Sequence, residues 1–183
     1  SALVAPLSYA QADGAYSPYS IFAIGDVSRQ GTAYNRTMGG VGIASRNNRY
    51  VNIMNPAAVT ARDSLSFMAD YTVYGDNKVF SQGGIKSVNN TFNINDVVLS
   101  FPILRKNMAM MVGISPFSDT GFEFSYKYTD PDVVGSIGNI SNTSTGSGSI
   151  YKSFAAVGYT FLKRISVGAE LDYYFGNITK YFT

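Results

Sequence analysis

Two stretches near the end of the 183-residue sequence alternate apolar and polar residues with a period of two. Apolar side chains dominate the odd positions of residues 151–161 and 165–175, and the even positions are mostly polar or small. Such alternation predicts β-strands with two chemically different faces. A three-residue turn between the two stretches keeps odd residues opposite odd residues. We therefore predict a hairpin that pairs Tyr159 with Val167 and Tyr151 with Phe175.

Three further stretches follow the same pattern. Residues 64–73 alternate cleanly, and two more apolar runs flank a short turn at 104–107. Pairing across that turn places Phe101 opposite Met110 and keeps the apolar side chains on one face. Residues 75–90 are polar and predict a surface loop between the first two strands.

An interruption at residues 115–121 divides the third of these strands. One interpretation is a hairpin loop between two strands, and the other is one long strand with a kink, because Pro116 cannot donate to a ladder. Alternation then resumes, which predicts that Phe122 and Phe124 face outward. Residues 130–149 are rich in Gly, Ser, Thr and Asn and predict a long loop. The count is five strands, or six if the third is really two.

The composition favours a membrane environment for these strands. Charged residues make up 14% of the chain, against about 25% in a typical soluble domain, and aromatic residues also make up 14%. The longest apolar run falls far short of the roughly 18 residues of a membrane helix. Two turns are short and basic and two loops are long, an asymmetry typical of outer-membrane barrels. We predict an all-β, transmembrane antiparallel β-barrel, with a soluble β-sandwich as the alternative.

Several function classes are disfavoured by missing residues. The chain has no His and no Cys, which removes Ser-His-Asp and Cys-His catalysis, thiolate metal sites and disulfides. A formal charge of +2 gives no case for nucleic-acid binding. We expect no enzyme activity, no cofactor and no metal. Glu170 and Asp172 are explained as polar lumen residues. Asp130 and Asp132 could hold calcium, but a plain solvated loop is the favoured interpretation.

The chain divides into three parts. Residues 1–12 resemble the end of a secretory signal with an Ala-x-Ala cleavage site, although an ordinary apolar arm would look similar. Residues 13–62 form a compact, glycine-rich hatch or plug, and residues 63–183 form the strands. Five strands cannot close a barrel, and an open edge in lipid leaves backbone groups unpaired. We therefore expect the hatch and the first strands of a larger, incomplete barrel.

The glycine-rich part contains two local features. Asn55 and Pro56 predict a turn that begins one or two helical turns over residues 57–61. Gly39 and Gly40 belong to a run of small residues whose backbone can approach another surface closely. The segment also carries five arginines, which either form a solvated face or anchor the plug against an acidic wall: Arg29, Arg36, Arg46, Arg49 and Arg62.

The order of these features resembles the FadL-type outer-membrane transporters of hydrophobic compounds. The similarity covers residues 31 to about 176, and its most specific part is the segment Asn55-Pro56-Ala57 directly before the first strand. The opening at residues 16–20 resembles a Bacteroidetes-type branch. The resemblance implies roughly fourteen strands. It also implies a hatch that contains Asn55, Pro56, Ala57, Gly39 and Gly40, and a lateral opening at the strand-three kink formed by Ser115, Pro116, Phe117 and Gly121.

The resemblance implies passive uptake of a hydrophobic small molecule at the Gram-negative outer membrane, to which the chain is exported through the periplasm. The ligand would leave sideways into the bilayer, because an apolar solute gains by leaving water. Met111 and Phe154 either line this path or contact the plug. The expected partners are outer-membrane lipid and a hydrophobic ligand, and no nucleic acid. The alternative function is a FadL-like barrel subunit of an outer-membrane protein export or assembly complex, with other subunits as partners.

Overall fold

The computed structural model describes residues 17–62, 66–82, 85–104, 107–127, 141–162 and 164–183. The N-terminal segment, defined here as residues 17–62, contains two 3-10 helices (Pro18–Ile21 and Pro56–Thr60), the short strand β1 (Asp26–Val27) and helix α1 (Ala33–Thr37). Five long strands follow: β2 (Met68–Gln82), β3 (Ile85–Leu104), β4 (Met108–Lys127), β5 (Ser141–Phe161) and β6 (Ile165–Phe182). Within the described ranges, no helix is both long enough and apolar enough to cross a membrane.

The long strands form one antiparallel sheet in the order β2-β3-β4-β5-β6, and β1 adds to β4. The sheet is not closed, so β2 and β6 are its outer strands among the described residues. The prediction of an all-β antiparallel fold is confirmed. The predicted registers are also confirmed, because Phe101 pairs with Met110 and Tyr159 pairs with Val167.

The predicted loop at residues 75–90 is wrong. In the described part of that range, β2 and β3 continue as a paired ladder, with Lys78 opposite Asn89 and Val79 opposite Val88. Backbone pairing extends beyond the apolar run, so polar composition alone misses these strand ends. Residues 141–149 are also strand, contrary to the predicted loop. The proposed calcium position at Asp130 and Asp132, and the cleavage site in residues 1–12, lie outside the described residues.

The interruption in the third long strand is a β-bulge, and β4 is one continuous strand. Pro116 pairs with Tyr151 and Ser118 pairs with Ile150, so Phe117 is an extra residue with no partner on β5. A bulge bends its strand and shifts the alternation of the following side chains by one position. The kinked single strand is therefore the correct one of the two interpretations.

This shift overturns the predicted orientation of the aromatic residues that follow. Phe122 is only 5% exposed and pairs with Gly146, which in turn pairs with Lys180. Lys180 Nζ donates to Ile21 O at 2.8 Å, so this face of the sheet contacts the N-terminal segment. Phe122 and Phe124 thus lie on the inner face, defined as the face that contacts the N-terminal segment.

The core forms between the inner face and the N-terminal segment. Met111 is fully buried and packs with Phe154 on the sheet side and with Ile53 and Val59 on the segment side. The opposite, outer face exposes large apolar side chains along every long strand, for example Tyr71, Phe92, Leu99, Ile114, Val167 and Leu171. The apolar residues therefore lie in two separate places: a small inner core and a broad, uncovered outer face.

Replacement of Met111 by Ala tests the inner core. We expect a loss of about 2–5 kcal/mol in the free energy of unfolding, because the change removes buried methylene groups and leaves a cavity. Met38→Ala is the matched control, since Met38 is exposed and should change stability by less than about 0.5 kcal/mol. Urea unfolding followed by far-UV circular dichroism measures both. Equal effects of the two substitutions would contradict the assigned core.

Candidate functional site

The second 3-10 helix is built from the sequence that the hatch prediction identified. The Asn55 side chain caps it, with Oδ1 accepting from Ala57 N at 3.0 Å, and Pro56 supplies the fixed φ of the first helical position. Asn55 Nδ2 also donates to Ile43 O at 2.8 Å. The side chain therefore connects the short helix to the glycine-rich stretch before it.

This helix lies directly on the sheet, because the adjacent strands β5 and β6 each have a glycine beneath it. A Cβ atom built on Gly168 would lie 2.4 Å from Ala57 N, and one on Gly158 would lie 2.8 Å from Pro56 O. Both distances are shorter than real Cβ contacts, so a larger residue at either position would displace the helix. Because Gly158 and Gly168 have no side chains, the N-terminal segment can approach β5 and β6 this closely.

Hydroxyl groups continue this contact towards the β5–β6 turn. The Thr60 and Thr160 hydroxyls are 2.7 Å apart, and Thr160 is 2.8 Å from the hydroxyl of Ser166. Arg46 donates to Ser166 Oγ at 2.6 Å and to Thr60 Oγ1 at 3.1 Å. One arginine and three hydroxyls thus connect the N-terminal segment to both strands of the hairpin.

Arg62 anchors the other end of the same helix. Its guanidinium donates to Val59 O at 3.0 Å and to Ser66 O at 2.8 Å, and it also contacts the Ser100 hydroxyl of β3. Partial burial lowers the pKa of Arg62. The ion pairs found among the described residues involve lysines and none of the five arginines. Arg46 and Arg62 therefore anchor the segment through hydroxyl and carbonyl oxygens, so for these two arginines neither the solvated face nor the acidic wall of the sequence analysis is correct.

The acidic residues of the inner face have a partner of their own. Lys152 lies 3.0 Å from Glu170 and 3.6 Å from Asp172, and its side chain is mostly buried. Lys152 also lies over the Phe154 ring, 5.1 Å from its centroid. These carboxylates neutralise one buried ammonium, which agrees with their interpretation as structural polar residues.

Next to the capped helix, the glycine loop (residues 38–45) includes Gly39 and Gly40. Both glycines have positive φ angles, +75° and +86°, and no heavy atom lies within 4 Å of a Cβ built on either. Glycine is therefore required at these two positions for the backbone conformation, and not for a close approach to the sheet. The hatch prediction groups them with Asn55, Pro56 and Ala57. The structure brings the two sets together through the Asn55–Ile43 hydrogen bond, and the role as a hatch stays a prediction.

A fork in the sheet lies at the predicted kink. β3 and β4 pair from Leu104 and Met108 as far as Val97 and Ile114. Beyond that point, among the described strands, β3 pairs with β2, and β4 pairs with β5 and with the short β1. Bulges lie just beyond the fork on both strands. Asn95 is the extra residue on β3, as Phe117 is on β4. Each bulge bends its strand, which separates the two edges.

The beginning of the N-terminal segment fills the fork. Asp26 pairs with Asp119 in the β1–β4 ladder, and Ser28 N donates to Phe117 O at 2.8 Å. Further along, Ser17 N donates to Gly121 O at 3.0 Å. The edge that β3 leaves unpaired on β4 is thus partly paired by the chain's own N-terminal residues. The strand β1 is not predictable from the sequence, because two residues give no detectable alternation.

The four residues of the predicted lateral opening all lie at this fork. Ser115, Pro116 and Gly121 are buried, and Phe117 contacts the Tyr174 ring edge-on at 4.7 Å between centroids. Backbone groups of residues 17–28 pair with this edge of β4, at Phe117, Ser118, Asp119 and Gly121. Met111 and Phe154, the proposed path residues, are buried against the N-terminal segment, which is the plug-contact alternative.

A polar cavity of about 400 Å³ lies beside the fork. Charged side chains of both signs line it: Asp26, Arg29, Arg36, Asp76, Lys78 and Asp119. Burial lowers the pKa of Arg36, and the nearby Tyr74 and Asp96 oppose that shift. Because desolvating such groups is costly, this lining favours water and polar groups over a hydrophobic molecule.

The fold and site define an all-β protein whose open antiparallel sheet holds an ordered N-terminal segment on one face. The sequence model of the BamG family matches residues 1–183, the whole length of the chain. The chain therefore belongs to the BamG family. That family is associated with the outer membrane of Gram-negative bacteria. No curated protein and no solved structure matched the chain.

The family match corrects the resemblance to FadL-type transporters, which was wrong. Uptake of hydrophobic compounds, and lipid transport with it, is wrong for the same reason. The motif Asn55-Pro56-Ala57 encodes a helix cap and a first helical turn, which many unrelated chains need. A bulged third strand is likewise a local device. Such local features identify a geometry and do not identify a family.

Gly168→Ala tests the contact between the capped helix and the sheet. We expect a loss of about 1–3 kcal/mol in the free energy of unfolding, because the new methyl group would overlap the backbone at Ala57. Gly75→Ala is the control, since the nearest atom to its Cβ is 3.8 Å away and the change should be neutral. Urea unfolding measures both variants. A neutral Gly168→Ala would show that the helix does not rest on this strand.

Proposed function

We propose that this protein is a transmembrane β-barrel subunit of the machinery that assembles proteins in the outer membrane. The observation that carries the proposal is the match of the BamG family over the whole chain. The alternative function from the sequence, a subunit of an export or assembly complex, agrees with this family. The expected partners are other subunits of the same complex.

The outer face of the sheet supports a position in the bilayer. The long strands contain 15 to 21 residues, and a tilted strand needs about 9–11 to cross the hydrocarbon core. Their outer side chains are apolar and uncovered, whereas the inner face carries Lys152, Glu170 and Asp172. Apolar side chains outside and polar side chains inside are typical of outer-membrane barrels.

The inner face supports assembly over uptake. The N-terminal segment occupies it through the capped helix, the hydroxyl contacts and the buried core around Met111. An open apolar groove of about 520 Å³ is lined mainly by outer-face residues such as Leu99, Ile114 and Leu171. The exposed apolar surface thus lies on the outer face of the sheet, where lipid or a neighbouring subunit would contact it.

Affinity purification of the tagged full-length chain from outer membranes tests the assembly function. We expect identified outer-membrane assembly subunits to co-purify in constant proportion. Depletion of the protein should slow the folding of newly exported barrel proteins, measured by their heat-modifiable mobility in pulse-chase experiments. Isolation without such subunits, together with unchanged folding rates after depletion, would reject the proposal.

The substitution Leu171→Arg tests whether the outer face of the sheet lies in a bilayer or in water. Leu171 is 77% exposed on the outer face. In lipid, an arginine near the midplane costs about 2–4 kcal/mol, whereas an exposed substitution in water is usually within about 0.5 kcal/mol.

Tyr19→Arg is the matched control, because Tyr19 is 75% exposed but belongs to the N-terminal segment. Unfolding in urea from phospholipid vesicles and the amount in outer membranes are measured. We expect only Leu171→Arg to reduce both. Equal behaviour of the two variants would favour a soluble sheet.

A further inference from the structure

The glycine loop exposes apolar side chains on a surface that the described sheet leaves uncovered. Ile43 is 74% exposed, Val41 60% and Met38 55%. Single exposed apolar residues are ordinary, but three within six consecutive positions form a patch. The patch lies on the N-terminal segment and not on the outer face of the sheet, so the membrane environment proposed above does not explain it.

Buried asparagines hold this loop in one conformation. Asn35 Nδ2 donates to Val41 O at 3.1 Å, and the Asn52 amide donates to Gly42 O at 2.6 Å and to Ser45 O at 2.9 Å. Gly40 N donates back to Asn35 O at 2.8 Å. Asn35 and Asn52 are themselves buried. The loop carbonyls are thus satisfied from inside, which leaves the apolar side chains pointing away from the asparagines. A preordered loop loses little entropy when it binds.

The segment that carries the loop is strongly basic. Residues 27–62 contain five arginines and no Asp, Glu or Lys. Arg46 and Arg62 are used in the anchoring described above. Arg49 is exposed, and its guanidinium has no hydrogen bond or ion pair to the described residues. Arg49, four residues after the glycine loop, is therefore a guanidinium without a partner among the described residues.

We propose that the glycine loop and Arg49 form a docking surface for a protein subunit that presents apolar side chains beside carboxylates. The proposal rests on the assembly function proposed above and names the surface that contacts the partner. Met38, Val41 and Ile43 enter the apolar part of the contact. Arg49 pairs with an acidic residue of the partner, which fixes the orientation and excludes basic partners.

Charge and position favour this occupant over three others. A second copy of the chain would bring the same arginines together and repel. In the bilayer position proposed above, lipid tails would contact the outer face, on the other side of the sheet from the N-terminal segment. Among the described residues, the ion pairs found involve lysines, so no carboxylate of the described sheet pairs with Arg49. A partner that carries its own carboxylates complements the surface best.

Site-specific photo-crosslinking in living cells tests the surface. A benzoyl-phenylalanine replaces Ile43 in the full-length chain, and in the control it replaces Tyr19, which is equally exposed at the other end of the N-terminal segment. We expect position 43 alone to give an adduct with an identified outer-membrane assembly subunit. The crosslinked peptide of that subunit should contain Asp or Glu. An adduct with lipid or within the chain itself, or no adduct, would overturn the proposal.

Arg49→Glu and Arg49→Lys test the charge. We expect Arg49→Glu to reduce the adduct about tenfold, which corresponds to about 1.4 kcal/mol, and Arg49→Lys to retain it. Equal urea midpoints show that both variants are folded. An adduct that is insensitive to Arg49→Glu would overturn the role of charge.

The amount of assembly complex that co-purifies with the unmodified chain separates the two proposals. If the complex co-purifies but position 43 gives no adduct with it, the docking surface is wrong and the function stands. If no complex co-purifies, both are wrong.

Discussion

The close approach of the capped helix to the sheet is the contact on which the rest of the structure depends. Gly158 and Gly168 leave a flat area on β5 and β6, and the backbone at Pro56 and Ala57 occupies it. This contact brings Val59 onto the core around Met111 and brings Thr60 within hydrogen-bonding distance of Thr160. A packed interior tolerates little extra volume, so the position of the N-terminal segment follows from two missing side chains.

The fork between β3 and β4 gives the sheet its second constraint. Each strand carries one extra residue, Asn95 on β3 and Phe117 on β4, just beyond Val97 and Ile114, where the pairing of the two strands ends. Unpaired backbone groups at such an edge are costly unless they find partners. The N-terminal residues supply some of these partners through β1 and Ser17. The segment is therefore held at both its beginning and its end, which leaves the glycine loop between the two anchors.

Alternation predicted the strands and registers of the β5–β6 hairpin well, because the period of two fixes which residues face each other. It failed at the polar ends of β2 and β3, where cross-strand pairing continues without an apolar face. It also failed at Phe122, because a bulge changes the phase of the pattern without changing the composition. The cap at Asn55 was predictable from local rules. The family was not, since a cap, a plug and a bulged strand are geometric solutions that different families share.

The sequence by itself determined the all-β character, the two chemically different faces of the strands and the position of the capped helix, because local dihedral preferences and periodicity set these features. Only the tertiary structure decided where the segment lies and what its arginines contact. Sequence spacing cannot reveal that Arg46 meets Ser166, or that Arg62 meets Ser100, since these contacts join residues far apart in the chain. Long-range packing, and not local pattern, left Arg49 and the glycine loop exposed.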